Sequence, residues 1–214
     1  TVIDAVRYEA GAPWPVTTNG VSLQLIDSSQ ENARPSNWAA DPGAPSTPGA
    51  PNSVAALITP YDPIWLNELQ FESLVGPLDN ASEPSPWIEL YNSGATPFSL
   101  AGYYLADNFT SNLTAWQFPS GATIQPGEHK VIWADGQAGQ TAGTNIHTGF
   151  PIDYQGRLAL VRVVSGQPEI VDYLTWRLPN PNVGYGSYPD GQPVFRHTQH
   201  TPTPLAANTR RPLA

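Results

Sequence analysis

Cysteine and methionine are missing from the 214 residues, and lysine occurs once, at Lys130. Without cysteine there can be no disulfide framework, thiolate nucleophile or thiolate metal site, and the redox compartment is left open. The lack of Met extends to position 1. Together with the strand-like opening Thr1-Val2-Ile3-Asp4, it reads as a piece cut from a longer polypeptide, with any signal peptide or anchor outside it. Charge is also scarce, at 13% of residues against about 25% in ordinary domains. What charge there is runs negative, 18 acids against 9 Lys and Arg for a net −9. Nucleic acid is therefore not an expected partner, because a phosphate-binding surface needs clustered Lys and Arg. The one adjacent basic pair, Arg210-Arg211, reads as a solvated tail. Long hydrophobic runs are missing too. Val54 to Ile58 falls far below the roughly 20 residues of a spanning helix, so no membrane insertion is expected.

Proline (24) and glycine (18) are plentiful and spread along the whole chain, and 40% of residues are hydrophobic. The chain can build a core, but only from short segments. From Ile64 onward short apolar or alternating stretches recur: 64–69, 87–91, 103–105, 114–118, 129–133, 157–164 and 170–176. Turn chemistry separates them, as at Asn92-Ser93-Gly94, Gln125-Pro126-Gly127 and Pro189-Asp190-Gly191. No stretch keeps a helical period. About seven strands at this spacing predict an all-β, antiparallel β-sandwich. In Trp87 to Tyr91 the period of two places Ile88 and Leu90 on the core face, with Trp87, Glu89 and Tyr91 on the other.

The chain also echoes itself. Blocks 170–176, 186–191 and Thr203-Pro204-Leu205-Ala206-Ala207-Asn208 match 2–8, 19–23 and Thr47-Pro48-Gly49-Ala50-Pro51-Asn52 in order and character. Residues 1–52 thus read as the end of a preceding tandem repeat, 53–63 as a linker, 64–208 as a whole domain and 209–214 as a tail.

Several ordered motifs carry a family resemblance: Leu66-Asn67-Glu68-Leu69, Trp87-Ile88-Glu89-Leu90-Tyr91-Asn92, Leu100 to Asp107, Trp116-Gln117-Phe118-Pro119, Ile124-Gln125-Pro126-Gly127 and the closing Thr203 to Asn208. The sequence resembles the lamin tail domain, its bacterial secreted branch in particular, over about 64–208 and in the final third of another copy at 1–52. Leu205 replaces the glycine of that branch's terminal TPG-x-x-N, whereas Gly49 keeps it. The resemblance implies an immunoglobulin-like sandwich with no catalytic residues, working as an interaction module of a larger exported protein. It would be extracytoplasmic, secreted or at the cell surface, with a protein or cell-surface polymer as partner.

Against that reading stand the residues that could carry chemistry. Glu68 and Glu89 could flank a cleft in glycosidase fashion or bind calcium, and Asp107 could add a calcium ligand. Their plainer role is as strand and turn carboxylates meeting backbone or solvent. His129, His147, His197 and His200 lack zinc-binding spacing, and His197 and His200 sit in text that reads as an exposed loop. No G-x-S-x-G occurs. No cofactor is expected, and no enzyme activity. A carbohydrate-binding module is the alternative, resting on aromatics: Trp65, Trp87, Trp116, Trp133 and Trp176 fall in or beside strands and should fill the core, while Trp14 and Trp38 lie in loop-like text as candidate exposed ligand contacts. Three glycosylation sequons, at Asn80, Asn108 and Asn112, would stay unmodified in a bacterial protein. Residues 1–52, if they lack partner strands, should dock on the intact domain or join a neighbouring chain as a dimer.

Overall fold

A computed structural model describes residues 4–199 and 201–209. Thr1-Val2-Ile3, His200 and Arg210-Arg211 lie outside the described residues. Thirteen strands form in chain order: β1 (Leu23–Leu25), β2 (Trp38–Ala40), β3 (Ile64–Gln70), β4 (Trp87–Asn92), β5 (Phe98–Ser99), β6 (Tyr103–Ala106), β7 (Trp116–Gln117), β8 (Thr123–Ile124), β9 (His129–Trp133), β10 (Gln155–Val164), β11 (Gln167–Arg177), β12 (Gly184–Ser187) and β13 (Arg196–Gln199). A five-stranded sheet in the order β13-β12-β3-β4-β9 faces a four-stranded sheet in the order β11-β10-β6-β7, and β5-β8 and β1-β2 make small pairs. All the named pairings are antiparallel, so the expected immunoglobulin-like β-sandwich is what forms.

The main core lies between the two large sheets. Ile88 and Leu90 of β4 point into it, as their alternation predicts, beside Ile132 of β9 and opposite Leu105, Leu158 and Leu160. Strand β3 needs a correction to simple alternation. A bulge between Leu66 and Glu68 inserts Asn67, so Leu66 and Leu69 both reach the core while Glu68 turns to the outer face.

The four-stranded sheet is apolar on both faces, and this decides where the N-terminal segment goes. In β10, Leu158 and Leu160 belong to the main core, whereas Ala159 and Val161 face outward with Ala106, Ile170 and Tyr173. Water is kept off that outer face by residues from the start of the chain: Trp14 is packed into it, with Val6 and Trp38 alongside. The Trp14 indole N–H donates to the Tyr173 hydroxyl at 2.8 Å. Arg34 makes a second anchor. Its guanidinium is 1% exposed, sits 3.5 Å over the Trp65 ring, and donates to the carbonyls of Asp62, Ile64 and Val171 at 3.0–3.2 Å. The segment expected as a linker is held as well, since Arg162 donates to the carbonyls of Thr59 and Pro60.

Two exposure expectations are corrected. Trp14, read as an exposed loop residue, is 2% exposed because it covers an apolar sheet face that local sequence does not reveal. His197, read in an exposed loop, lies in β13 opposite Gly186. Trp38 is half-buried. The strand tryptophans are buried or nearly so, although Trp87 and Trp133 pack with Val131 in a cluster of their own.

Candidate interaction sites

Glu68 and Glu89 are cross-strand partners on the outer face of the five-stranded sheet, and both are 0% exposed. The segment after β13 lies across them as a strap. Thr203 donates its backbone N–H and its hydroxyl to Glu68 Oε2 at 3.0 and 3.1 Å, and the Leu205 N–H donates to Glu89 Oε2 at 2.6 Å. Asn67, placed by the bulge, donates to Glu89 Oε1 at 3.1 Å and to Asp190 at 3.0 Å. Asn208 closes the strap by donating its side-chain amide to the carbonyls of Ser187 and Asn67. Burial pushes the Glu68 carboxyl up to about 7 against the hydrogen bonds from Thr203. Burial likewise pushes Glu89 up to about 9, helped by the neighbouring Glu68 and opposed by Asn67. Asp190 goes the other way: burial raises it, but donation from His129, Asn67 and Asn208 outweighs this and holds it low.

This arrangement explains two glycines. A Cβ on Gly184 would sit 2.6 Å from Glu68 Oε1, and one on Gly186 would sit 2.7 Å from the Asn67 carbonyl. Strand β12 is glycine-rich because the buried glutamate needs that room. The carboxylates face strap N–H groups and each other rather than a cleft. Asp107 is not with them; it is exposed at the end of β6, in the other sheet, and accepts from Asn108.

One further cluster escaped the sequence reading. Ligand atoms of Asp79, Asp135 and His147 lie within 4.8 Å of one another. Both imidazole nitrogens are already engaged, Nδ1 with Asp135 at 2.8 Å and Nε2 with Asn80 Oδ1 at 2.7 Å. Asp79 accepts from the N–H groups of Ala81 and Glu83 and from the Ser85 hydroxyl. The cluster therefore ties the 79–85 loop to the 135–147 loop. His147 is 67 residues from Asn80, so no spacing rule could have flagged it.

The third site is a groove of about 500 Å³ near the N-terminus, lined by Val6, Tyr8, Trp14, Val21, Leu23 and Trp38, with the hydroxyl residues Thr17 and Ser22 on its wall. Its rings are fixed. Trp14 lies 6.3 Å from Tyr8 and 6.1 Å from Trp38, and the Trp38 indole donates to the Asn32 carbonyl at 2.7 Å. Tyr8, which the sequence reading passed over, is 65% exposed. The structure thus brings Trp14 and Trp38 into one groove.

A search of curated proteins finds no match to the chain. The family model of the Lamin Tail Domain matches residues 68–176, just over half of the chain, from Glu68 of the bulged strand through Trp176 of β11. With the sandwich this places the protein: the chain belongs to the lamin tail domain family.

Proposed function

We propose that the chain works without catalysis, as an interaction or adhesion module, or a spacer, of a larger exported protein, bacterial in origin and exposed at the cell surface or secreted. The observation that carries the reading is the fate of the acids best placed for chemistry. Glu68 and Glu89 are sealed beneath the 203–208 strap, whose N–H groups occupy Oε2 of each, and no path from solvent reaches either carboxyl group. A catalytic pair works at a cleft with room for substrate and water, which this pair does not have. The partner on this reading is a protein or a cell-surface polymer, taken up at a preformed surface.

The groove with Tyr8, Trp14 and Trp38 favours a second reading as a carbohydrate-binding module, since rigid rings suit stacking on the apolar faces of sugars. A thermal-unfolding screen against soluble glycans, cell-wall polymers and calcium separates the two, because any ligand that prefers the folded state raises the midpoint. A glycan shift lost in Tyr8→Ala selects the carbohydrate reading, and a calcium shift reopens the acidic loops. Silence across the panel, with retention of a protein from surface extracts on the immobilised chain, supports the interaction module.

A further inference from the structure

The hairpin β1-β2 and the strap after it repeat the internal hydrogen bonds of the hairpin β12-β13 and its strap. Ile26 N–H donates to the Asn37 carbonyl at 2.9 Å, as Tyr188 N–H does to Phe195 at 3.0 Å. Asn52 donates its side-chain amide to the Leu25 carbonyl at 3.0 Å, as Asn208 does to Ser187 at 2.7 Å. The Thr47 hydroxyl bonds Asn52 and that of Thr203 bonds Asn208, and the N–H groups of Ala50 and Ala206 return to the carbonyls of Thr47 and Thr203. Gly49 and Leu205 take the same left-handed turn, with φ of +74° and +65°. These matches pair Leu23 with Tyr185, Gln24 with Gly186 and Leu25 with Ser187.

The copies differ in what lies beside them. β12 has β13 on one edge and β3 on the other, whereas β1 pairs only with β2 among the described residues. Because Ile26 faces β2, the N–H groups of Leu23 and Leu25 point to the opposite edge, the one at which Tyr185 pairs with Leu69 of β3. The chain itself covers part of that edge, because the Asn52 side-chain amide takes the Leu25 carbonyl. The Leu23 end stays open, and Leu23 is also a wall of the aromatic groove. Its counterpart Tyr185 packs against the main core, so the groove stands where an intact copy keeps its core. Gln24, in the place of Gly186, fills the space that Glu68 occupies in the intact copy, and its Oε1 accepts from the Thr47 hydroxyl at 3.5 Å as Glu68 accepts from that of Thr203.

We propose that residues 4–58 repeat the sandwich's C-terminal part, and that the open end of β1 with its groove docks an extended, uncharged peptide strand. The inference rests on the interaction-module reading and supplies its surface and mode. Main-chain hydrogen bonds to Leu23 give affinity, and the groove takes an apolar side chain of the bound strand. The contact repeats the geometry of the β12-β3 seam, with one change. A strand bound here needs a small residue opposite Gln24, where β3 carries Glu68. The eight groove residues carry no charge, which selects an uncharged strand.

The test uses the whole chain and two probes. The first is a synthetic peptide of residues 64–70 carrying Glu68→Gly, with two added terminal lysines for solubility; the second is a displayed library of random nine-residue peptides. At a peptide concentration ten times Kd, amide exchange at Leu23 should slow about tenfold. Leu23→Pro removes an outward N–H while leaving the β2 pairing, and should abolish binding without moving the unfolding midpoint. Tyr8→Ala, at an exposed residue, should weaken binding and spare the fold. Unchanged exchange with both probes, or library binders indifferent to Leu23→Pro, overturns the inference. Binders that map to another face also overturn it while leaving the interaction module intact. Occupation of the groove by a neutral oligosaccharide, with no strand binding, overturns both in favour of the carbohydrate reading.

Discussion

Replacing Trp14 by alanine tests whether the N-terminal segment is structural. Trp14 is 2% exposed, fills the outer face of the four-stranded sheet against Ile170, Val161 and Tyr173, and bonds the Tyr173 hydroxyl. Truncating a buried tryptophan costs about 3–5 kcal/mol through lost transfer energy and the remaining cavity. For a chain of this size that is a fall in midpoint of about 6–20 °C. Trp14→Phe keeps most of the packing and loses only the hydrogen bond, so it should cost about 1–2 kcal/mol.

The assay is urea unfolding followed by far-ultraviolet circular dichroism, which reports the whole sandwich rather than one ring. A single transition moved to lower urea is the expected result. If Trp14→Ala left the sandwich transition in place, or split off a small early phase at 4–58 with the rest unmoved, the N-terminal segment would be an independent appendage and the argument from the two-sided apolar sheet would fail. Deleting residues 1–52 extends the test. The sequence boundary at 64 predicts that 64–208 fold alone, whereas the removal of Trp14 and Arg34 bares Val161 and Ile170 and leaves the carbonyls of Ile64 and Val171 without their donor. A truncated sandwich as stable as the whole chain would refute the structural role assigned to both residues.

Glu68 and Glu89 are raised from 4.5 to about 7 and about 9, so the folded state holds protons that the unfolded state releases. Their favourable contribution is complete below about pH 4.5 and is lost as pH rises toward 9, by several kcal/mol across the pair at about 1.4 kcal/mol per unit. Glu89→Gln should flatten the fall in unfolding free energy between pH 6 and 9, measured by denaturant titration at each pH. Leu205→Gly should stabilise by about 0.5–1 kcal/mol, because a 61%-exposed leucine is held at φ +65°, where glycine is unstrained. Gly186→Ala should cost about 1–3 kcal/mol, since its Cβ meets a backbone carbonyl that cannot move aside. Arg34→Lys should cost about 2–3 kcal/mol in the same urea assay, because one ammonium cannot serve three carbonyls and stack on Trp65.

The sandwich was legible because its central strands alternate. β4 and β9 place Ile88, Leu90 and Ile132 inward by period alone, and turn residues mark their ends. The strands that escaped reading are those whose sequence answers to a distant neighbour. Gly184-Tyr185-Gly186-Ser187 looks like a turn, because its glycines are set by Glu68 of β3 and not by its own backbone. Trp14 looked like a loop residue because the surface it covers is spread over β6, β10 and β11. One signal for that cover was present. Leu158-Ala159-Leu160-Val161 does not alternate with polar residues, as a strand with one wet face would, and such a run asks for a second cover.

The strap motif shows why the site was harder to read than the fold. Thr-Pro-x-x-x-Asn encodes a turn, a hydroxyl and an amide, and both copies fold it alike whatever lies beneath. Its local geometry is a property of the sequence, but its stability and meaning depend on the acceptor it finds: a glutamate from another strand at 203–208, and Gln24 of its own hairpin at 47–52. In the first setting the strap seals two acids and gives the fold its pH dependence. In the second, a neutral amide supplied from within the hairpin leaves the outward edge of β1 clear of any carboxylate. Among the described residues no strand stands beside β1 as β3 stands beside β12, and Gln24, in the place of Gly186, supplies the acceptor that the strap needs. With that acceptor inside the hairpin, the strap keeps its shape while the Leu23 end of β1 carries no partner strand among the described residues.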